Sequence, residues 1–256
     1  MDTKEQSRIK LLLDKKADLY ERPEFIDTDP ILVPHNYTLK EDIEIAGFLT
    51  ATIAWGQRKS IIKCAKLLFN LMDNDPFAFV SCATDQELRK FQHFKYRTFQ
   101  GEDCIFFLKS LQNIYLKHGG LEKVFTEGYL QNKSIFNSLI HFYMTMFAIP
   151  HLKRSEKHVA NVMANASAKR LNLFLRWMVR SNDKGIDFGL WKKIPKNSLM
   201  IPLDLHTGNT ARNLGLLKRK QNDWKAVEEL TSILCSFDPE DPIKYDFALF
   251  GMGAFE

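Results

Sequence analysis

Apolar residues recur along this chain at the three- and four-residue spacing of helices, and no stretch shows the strict alternation, bounded by hairpin turns, that marks a half-buried strand. Ile9, Leu12, Leu13 and Ala17 set that spacing over Lys4–Tyr20. After a loop with Pro30 and Pro34, the same reading predicts a long helix from Lys40 through Trp55, ended by Gly56. A second runs from Lys59 to Met72 and stops before the turn at Asn74–Pro76. Thr84 and Glu87 stand at capping-box spacing and open a short helix over Asp85–His93. Gly101–His118 and Gly120–Leu130 follow, and the mostly apolar Ser134–Ile149 belongs at the centre of a core. Ala164–Arg180, a connector over Ser181–Ser198, Leu205–Leu214, Asn222–Cys235 and Pro242–Met252 complete the series. The expected class is all-α, an irregular bundle of about ten helices.

A chain of 256 residues suits one large helical domain or two small lobes sharing a core. The start, MDTKEQSRIKLLLDKK, is too charged for a secretory signal. The longest apolar runs, around Ile45–Trp55 and Leu139–Pro150, fall short of the roughly 18 residues that span a bilayer. The cytosol is the expected compartment. Cys64, Cys82, Cys104 and Cys235 lie far apart and form no CxxC pair, and the histidines are scattered, so no metal or other cofactor is expected.

Charge is unevenly spread. Residues 151–225 hold sixteen cations and five acids, hence +11, which leaves −6 for the rest of a chain whose formal charge is +5. A polyanion partner, nucleic acid before a membrane surface, accounts for that asymmetry, and on charge alone a solvated basic face accounts for it equally well.

Within that tract, Leu171, Phe174, Leu175 and Met178 form one apolar face of a helix. Lys169, Asn172, Arg176 and Arg180 line another, at i, i+3, i+7 and i+11. A lysine amine at a helix N-terminus, here with Arg170 beside it, stands in a positive potential that disfavours the ammonium form. If partly buried, such an amine is a candidate nucleophile. In IPLDLH, Pro202 holds the chain extended and Asp204 precedes a helix that begins about Leu205. The plain role for Asp204 is an N-cap. An anion fixed in that way can also stabilise a cationic sugar transition state, so the two roles are compatible.

These residues, in this order, resemble the helix-hairpin-helix DNA glycosylases of base-excision repair. In that superfamily a catalytic lysine at the start of one helix precedes a catalytic aspartate in a "PVDTHV"-like segment that opens the next. Here KRLNLFLRWM, with Lys169, is similar to the lysine helix, and IPLDLH, with Asp204, to the aspartate segment. TARNLGL is similar to the "RxxxRLGL" continuation, with Arg212 in the second arginine's place. The lysine–aspartate separation of 35 residues is nearest that of the archaeal 8-oxoguanine glycosylases. More closely, GQR at Gly56–Arg58, FKYR at Phe94–Arg97, KRLNLFLRWMVR and DPIKYDFALFGMG together resemble an uncharacterised bacterial family placed in this superfamily. One departure stands out: the glycine-rich "LPGVG" hairpin is replaced by NVMANASAKR, in which Asn165 and Ser167 are left to supply turn geometry and phosphate hydrogen bonds.

The resemblance implies a two-lobed helical fold and a monomer in the bacterial cytosol or nucleoid. Its partner would be duplex DNA carrying a damaged base, an oxidised purine among the candidates, flipped into a pocket between lobes. Lys169 would attack the sugar C1′ and form a Schiff base, with Asp204 stabilising the developing charge. Arg170, Arg176, Arg180, Arg212 and the 218–220 LysArgLys run would contact DNA. Gln57 would read a base edge and Trp55 would stack on a base, although core packing is the commoner fate of a tryptophan. Tyr96–Arg97 reads as a DNA contact or as a cap of the following helix, and His206 has the best local claim of any histidine, although a structural role is commoner for it. Trp177, Phe247 and Phe250 read as packing. Two other readings stand beside the enzyme: a binding protein of the same fold without chemistry, and an unrelated helical interaction protein.

Overall fold

Helices carry the structure, a computed structural model that describes Thr3–Ser181 and Asp183–Glu256. Before the midpoint come α1 (Thr3–Tyr20), α2 (Lys40–Thr52), α3 (Arg58–Asn70), α4 (Pro76–Cys82) and α5 (Asp85–Leu88). Strands β1 (Lys95–Tyr96) and β2 (Phe99–Gln100) follow, then α6 (Gly101–His118), α7 (Leu121–Asn132) and α8 (Ile135–Met146). The chain ends with α9 (Lys169–Val179), α10 (Leu205–Asn213), α11 (Trp224–Phe237) and α12 (Tyr245–Phe255). The all-α expectation holds at that level.

Three local differences have physical causes. The Asn74–Pro76 turn opens a helix, α4, because Asp75 accepts from Ala78 N and Pro76 sits in the first turn, where no N–H is needed. β1 and β2 pair as an antiparallel hairpin with Tyr96 opposite Phe99, and two-residue strands are too short to show alternation. α9 starts at Lys169, not Ala164, because Asn165 and Ala168 take left-handed φ values of 61° and 50°, which no helix passes through. The Thr84–Glu87 capping box forms as expected, but α5 tightens into a 3₁₀ turn after Leu88. Of the connector, Asn182 lies outside the described residues.

The chain divides into two compact units: residues 1–27 with 161–256, and residues 28–160. In the second of these, α2 is buried along most of its length, with Ile45, Ala46, Phe48 and Leu49 at its centre. Phe142 stacks on Phe125 at 4.4 Å and meets Phe48 edge-on at 5.3 Å. Gly128 lets α7 approach α8: a Cβ there would fall 2.8 Å from Ser138 Cα. Asp103, fully buried, accepts from Gln100 N and Ser155 Oγ at 2.9 and 2.7 Å, tying the 153–158 turn to α6.

In the first unit, α1 buries Ile9, Leu13 and Ala17 and packs on α12, where Gly251 leaves room for the Tyr20 ring. Asp14 accepts from Tyr245 Oη at 2.8 Å, so both chain ends hold one another. Leu171, Phe174, Leu175 and Met178 of α9 all point into the core, with Trp177 beside them and Phe174 edge-on to Trp191 at 5.4 Å. Among the described residues no helix is long and apolar enough to cross a membrane.

Candidate functional site

Lys169 is the first residue of α9, and the turn that delivers it is held from outside. Asn165 O accepts from Trp224 N at 3.1 Å, Asn165 Nδ2 donates to Asp223 Oδ2 at 2.9 Å, and Ala166 pairs with Asp223. Asparagine tolerates a left-handed backbone, but alanine at 168 gives up about 1–2 kcal/mol to adopt it. No side chain caps α9, whereas α10 is capped by Asp204 and α11 by Asp223. The N-cap residue of α9, Ala168, thus offers no side-chain acceptor at the positive end of the helix, a place that suits an anion.

Asp204 is the N-cap anticipated from IPLDLH: Oδ1 accepts from Thr207 N at 2.9 Å, and the backbone carbonyl accepts from Gly208 N at 2.9 Å. Its other oxygen, Oδ2, lies 3.7 Å from Lys169 Nζ. The two side chains are 28% and 22% exposed, open enough to be reached and buried enough for their charges to act through a reduced dielectric. A brace fixes the cap. Asn222 Nδ2 donates to Asp204 O at 3.0 Å, and Arg212 donates to Asn222 Oδ1 at 2.6 Å and Arg219 O at 2.8 Å. A Cβ at Gly208 would fall 2.7 Å from Asn222 Oδ1, so glycine there lets the brace close.

A third charged group, which the sequence offers only as part of a core helix, acts electrostatically on this pair. Asp246, in the first turn of α12, is buried and lies 2.5 Å from Arg176 Nη1. Burial pushes its carboxyl up to about 6; Arg176 pulls the other way, the Asp204 charge adds to the rise, and Lys169 opposes it. Asp246 is thus electrostatically coupled to both members of the pair. The available signal was a lone acid in the apolar run YDFALFGMG.

Residues 29–255 match the family described as "Protein of unknown function (DUF2400)". The chain belongs to the DUF2400 family. Searches of curated proteins and of solved structures gave no significant match. Lys169, Asp204 and Asp246 all fall inside the DUF2400 match, and α1 precedes it.

In this DUF2400 chain the polar stripe of α9 faces inward, which corrects two expected phosphate contacts. Arg176 and Arg180 are only 3% and 6% exposed. Arg176 Nε donates to Asp187 Oδ1 at 3.2 Å. Arg180 binds Asp241 through Nε and Nη2 at 2.8–3.1 Å, Asp187 at 3.2 Å, and Glu21. Both guanidiniums lie over the Phe247 ring, at 4.3 and 5.5 Å. Asn172 is buried and donates to Ser167 O at 3.2 Å. Only Lys169, at the end of the stripe, reaches the surface among these four.

The other expected DNA contacts have separate fates. Arg212 is the brace just described. Arg170 is half-buried, and burial pulls its guanidinium down to about 10. His206 is exposed and pairs through Nδ1 with Gly253 O at 3.0 Å. Lys218 and Lys220 are exposed, while Arg219 is paired with Asp223. Trp55, Gln57 and Arg97 belong to the second unit. There Trp55 is half-buried, stacked on His158 and edge-on to Tyr96, whose hydroxyl donates to Trp55 O at 2.7 Å. Gln57 and Arg97 are exposed.

Proposed function

We propose that this DUF2400 protein is a DNA glycosylase with AP-lyase action on a damaged base, an oxidised purine first among candidates, working through a lysine Schiff base. The observation that carries the reading is the approach of Lys169 Nζ to Asp204 Oδ2, 3.7 Å apart and both reachable from solvent. The positive end of α9, where Ala168 gives no side-chain cap, lies at Lys169 and suits a phosphate. The amine attacks C1′; the C1′–N bond to the base breaks, its electron pair leaving with the base, which takes up a proton. The C1′–O4′ bond then opens, the alkylammonium giving one proton to O4′, which leaves the iminium and a 4′-hydroxyl. Abstraction of a C2′ proton then expels the 3′ phosphate. Asp204 faces the positive charge that grows at C1′ and O4′.

A nucleic-acid-binding protein without chemistry is the second reading, favoured by the glycine-free turn before Lys169. Borohydride trapping separates the two. Duplexes carrying 8-oxoguanine or an abasic site are incubated with protein and reductant, and the expected result is a covalent adduct with wild type and none with Lys169→Gln. Absence of any wild-type adduct, or equal trapping by the variant, overturns the enzymatic reading.

A further inference from the structure

Two segments quoted for their resemblance, GQR at 56–58 and FKYR at 94–97, meet in space within the second unit. Gly56, at φ 101°, lies under the Arg97 guanidinium, and a Cβ there would fall 2.5 Å from Arg97 Nη1. Cys64 of α3 donates to Lys95 O at 4.0 Å, so the β1–β2 hairpin lies beside the N-terminal half of that helix. Residues 56–72 and 88–101 contain eight cations and no Asp or Glu. Arg58 and Lys90 pair with Asp29 and Asp73. Lys59, Lys63, Lys66, Lys95 and Arg97 are exposed and have no ion pair among the described residues. The three lysines of α3 stand at i, i+4 and i+7, one stripe on one face.

We infer that this α3–hairpin face is a second nucleic-acid surface, which grips the phosphodiester backbone independently of Lys169 and Asp204. Five exposed cations without an ion pair among the described residues, on two adjoining elements, attract a polyanion. A membrane surface fits less well, because the apolar face of α3, Ile61, Ala65, Leu68 and Phe69, is spent on the core of its own unit. Arg97 adds an independent sign. It is the first of two residues in the hairpin turn and has φ 53°, where such turns take glycine. A non-glycine residue held there is strained, and strain of this kind gathers where a side chain has work to do. The net charge hid this face, since it lies in the part of the chain that sums to −6.

The test is full-length protein binding an undamaged duplex, followed by fluorescence anisotropy as salt is raised from about 50 to about 200 mM. Lys59→Gln, Lys63→Gln and Lys66→Gln combined should weaken binding at low salt at least about tenfold and lower the log–log salt slope by about 2–3. Neutralising Lys117, Lys123 and Lys133 should leave both unchanged. The readout is affinity for undamaged duplex rather than borohydride trapping, so this surface and the proposed chemistry fail separately. Arg97→Gly should lower the slope by about 1 without lowering the Tm, since glycine relaxes the turn. Wild-type affinity in the α3 triple variant, no duplex binding by wild type, or a defect seen only with phosphatidylserine vesicles would overturn the inference. A loss of Tm in Arg97→Gly matching its loss of affinity would remove Arg97 from the surface.

Discussion

Asp204 caps α10 with one oxygen and faces Lys169 with the other, so its structural and chemical roles can be separated by substitution. Asparagine is as good an N-cap as aspartate but carries no charge. Asp204→Asn should therefore keep the urea midpoint of wild type while slowing base release and lowering the yield of trapped adduct. Asp204→Ala should lose about 1 kcal/mol of stability as well. Equal stability loss in both variants would show that the charge, not the cap, holds the helix. The cap was legible in the sequence because capping is local: a proline, an aspartate and a helical pattern lie within a few residues. The turn before Lys169 was only half legible. Asn165 has its own reason to be left-handed, but Ala168 is placed there by bonds that Trp224 N and Asp223 make to the same loop.

At the scale of one element, α9 shows what periodicity can and cannot say. Spacing put Lys169, Asn172, Arg176 and Arg180 on one side of the helix correctly. It could not say what that side meets, because Glu21, Asp187, Asp241 and Asp246 come from four places in the chain. Within that cluster burial raises the Asp246 carboxyl, Arg176 opposes the rise, and the charge of Asp204 adds to it. The Asp246 carboxyl titrates near 6 in the folded protein against about 3.9 in an unfolded chain, so the folded state holds the proton more tightly. The stabilising effect of that proton is complete below about pH 4 and is lost as pH rises through about 6, a change of about 2–3 kcal/mol. Asp246→Asn keeps an acceptor for Arg176 and removes the titration. Urea midpoints measured from pH 4 to 7.5 should show wild type losing stability relative to Asp246→Asn across that window. A constant difference between the two would contradict the assignment.

For the whole molecule, the first unit is discontinuous: α1 closes on α12 although more than 200 residues separate them. Burying Ile9, Leu13 and Ala17 together with the Asp14–Tyr245 bond is worth on the order of 5 kcal/mol, comparable to the net stability of a small domain. Deleting residues 1–20 should abolish the cooperative melt of that unit by circular dichroism and expose residues 161–256 to limited proteolysis. An unchanged Tm would show α1 to be dispensable. What the linear order of residues determined by itself was local: helical class, caps, breaks, and a lysine and an aspartate at two helix mouths, because hydrogen bonding and side-chain spacing act over a few positions. What the tertiary structure alone decided was the environment of each charge. It sent Arg176 and Arg180 inward, buried Asp246 where the charges of Asp204 and Lys169 act on it, and brought the Lys95–Arg97 turn against the helix that carries Lys59, Lys63 and Lys66. Burial and Coulomb energy depend on distance through space, which net charge summed along a chain does not contain.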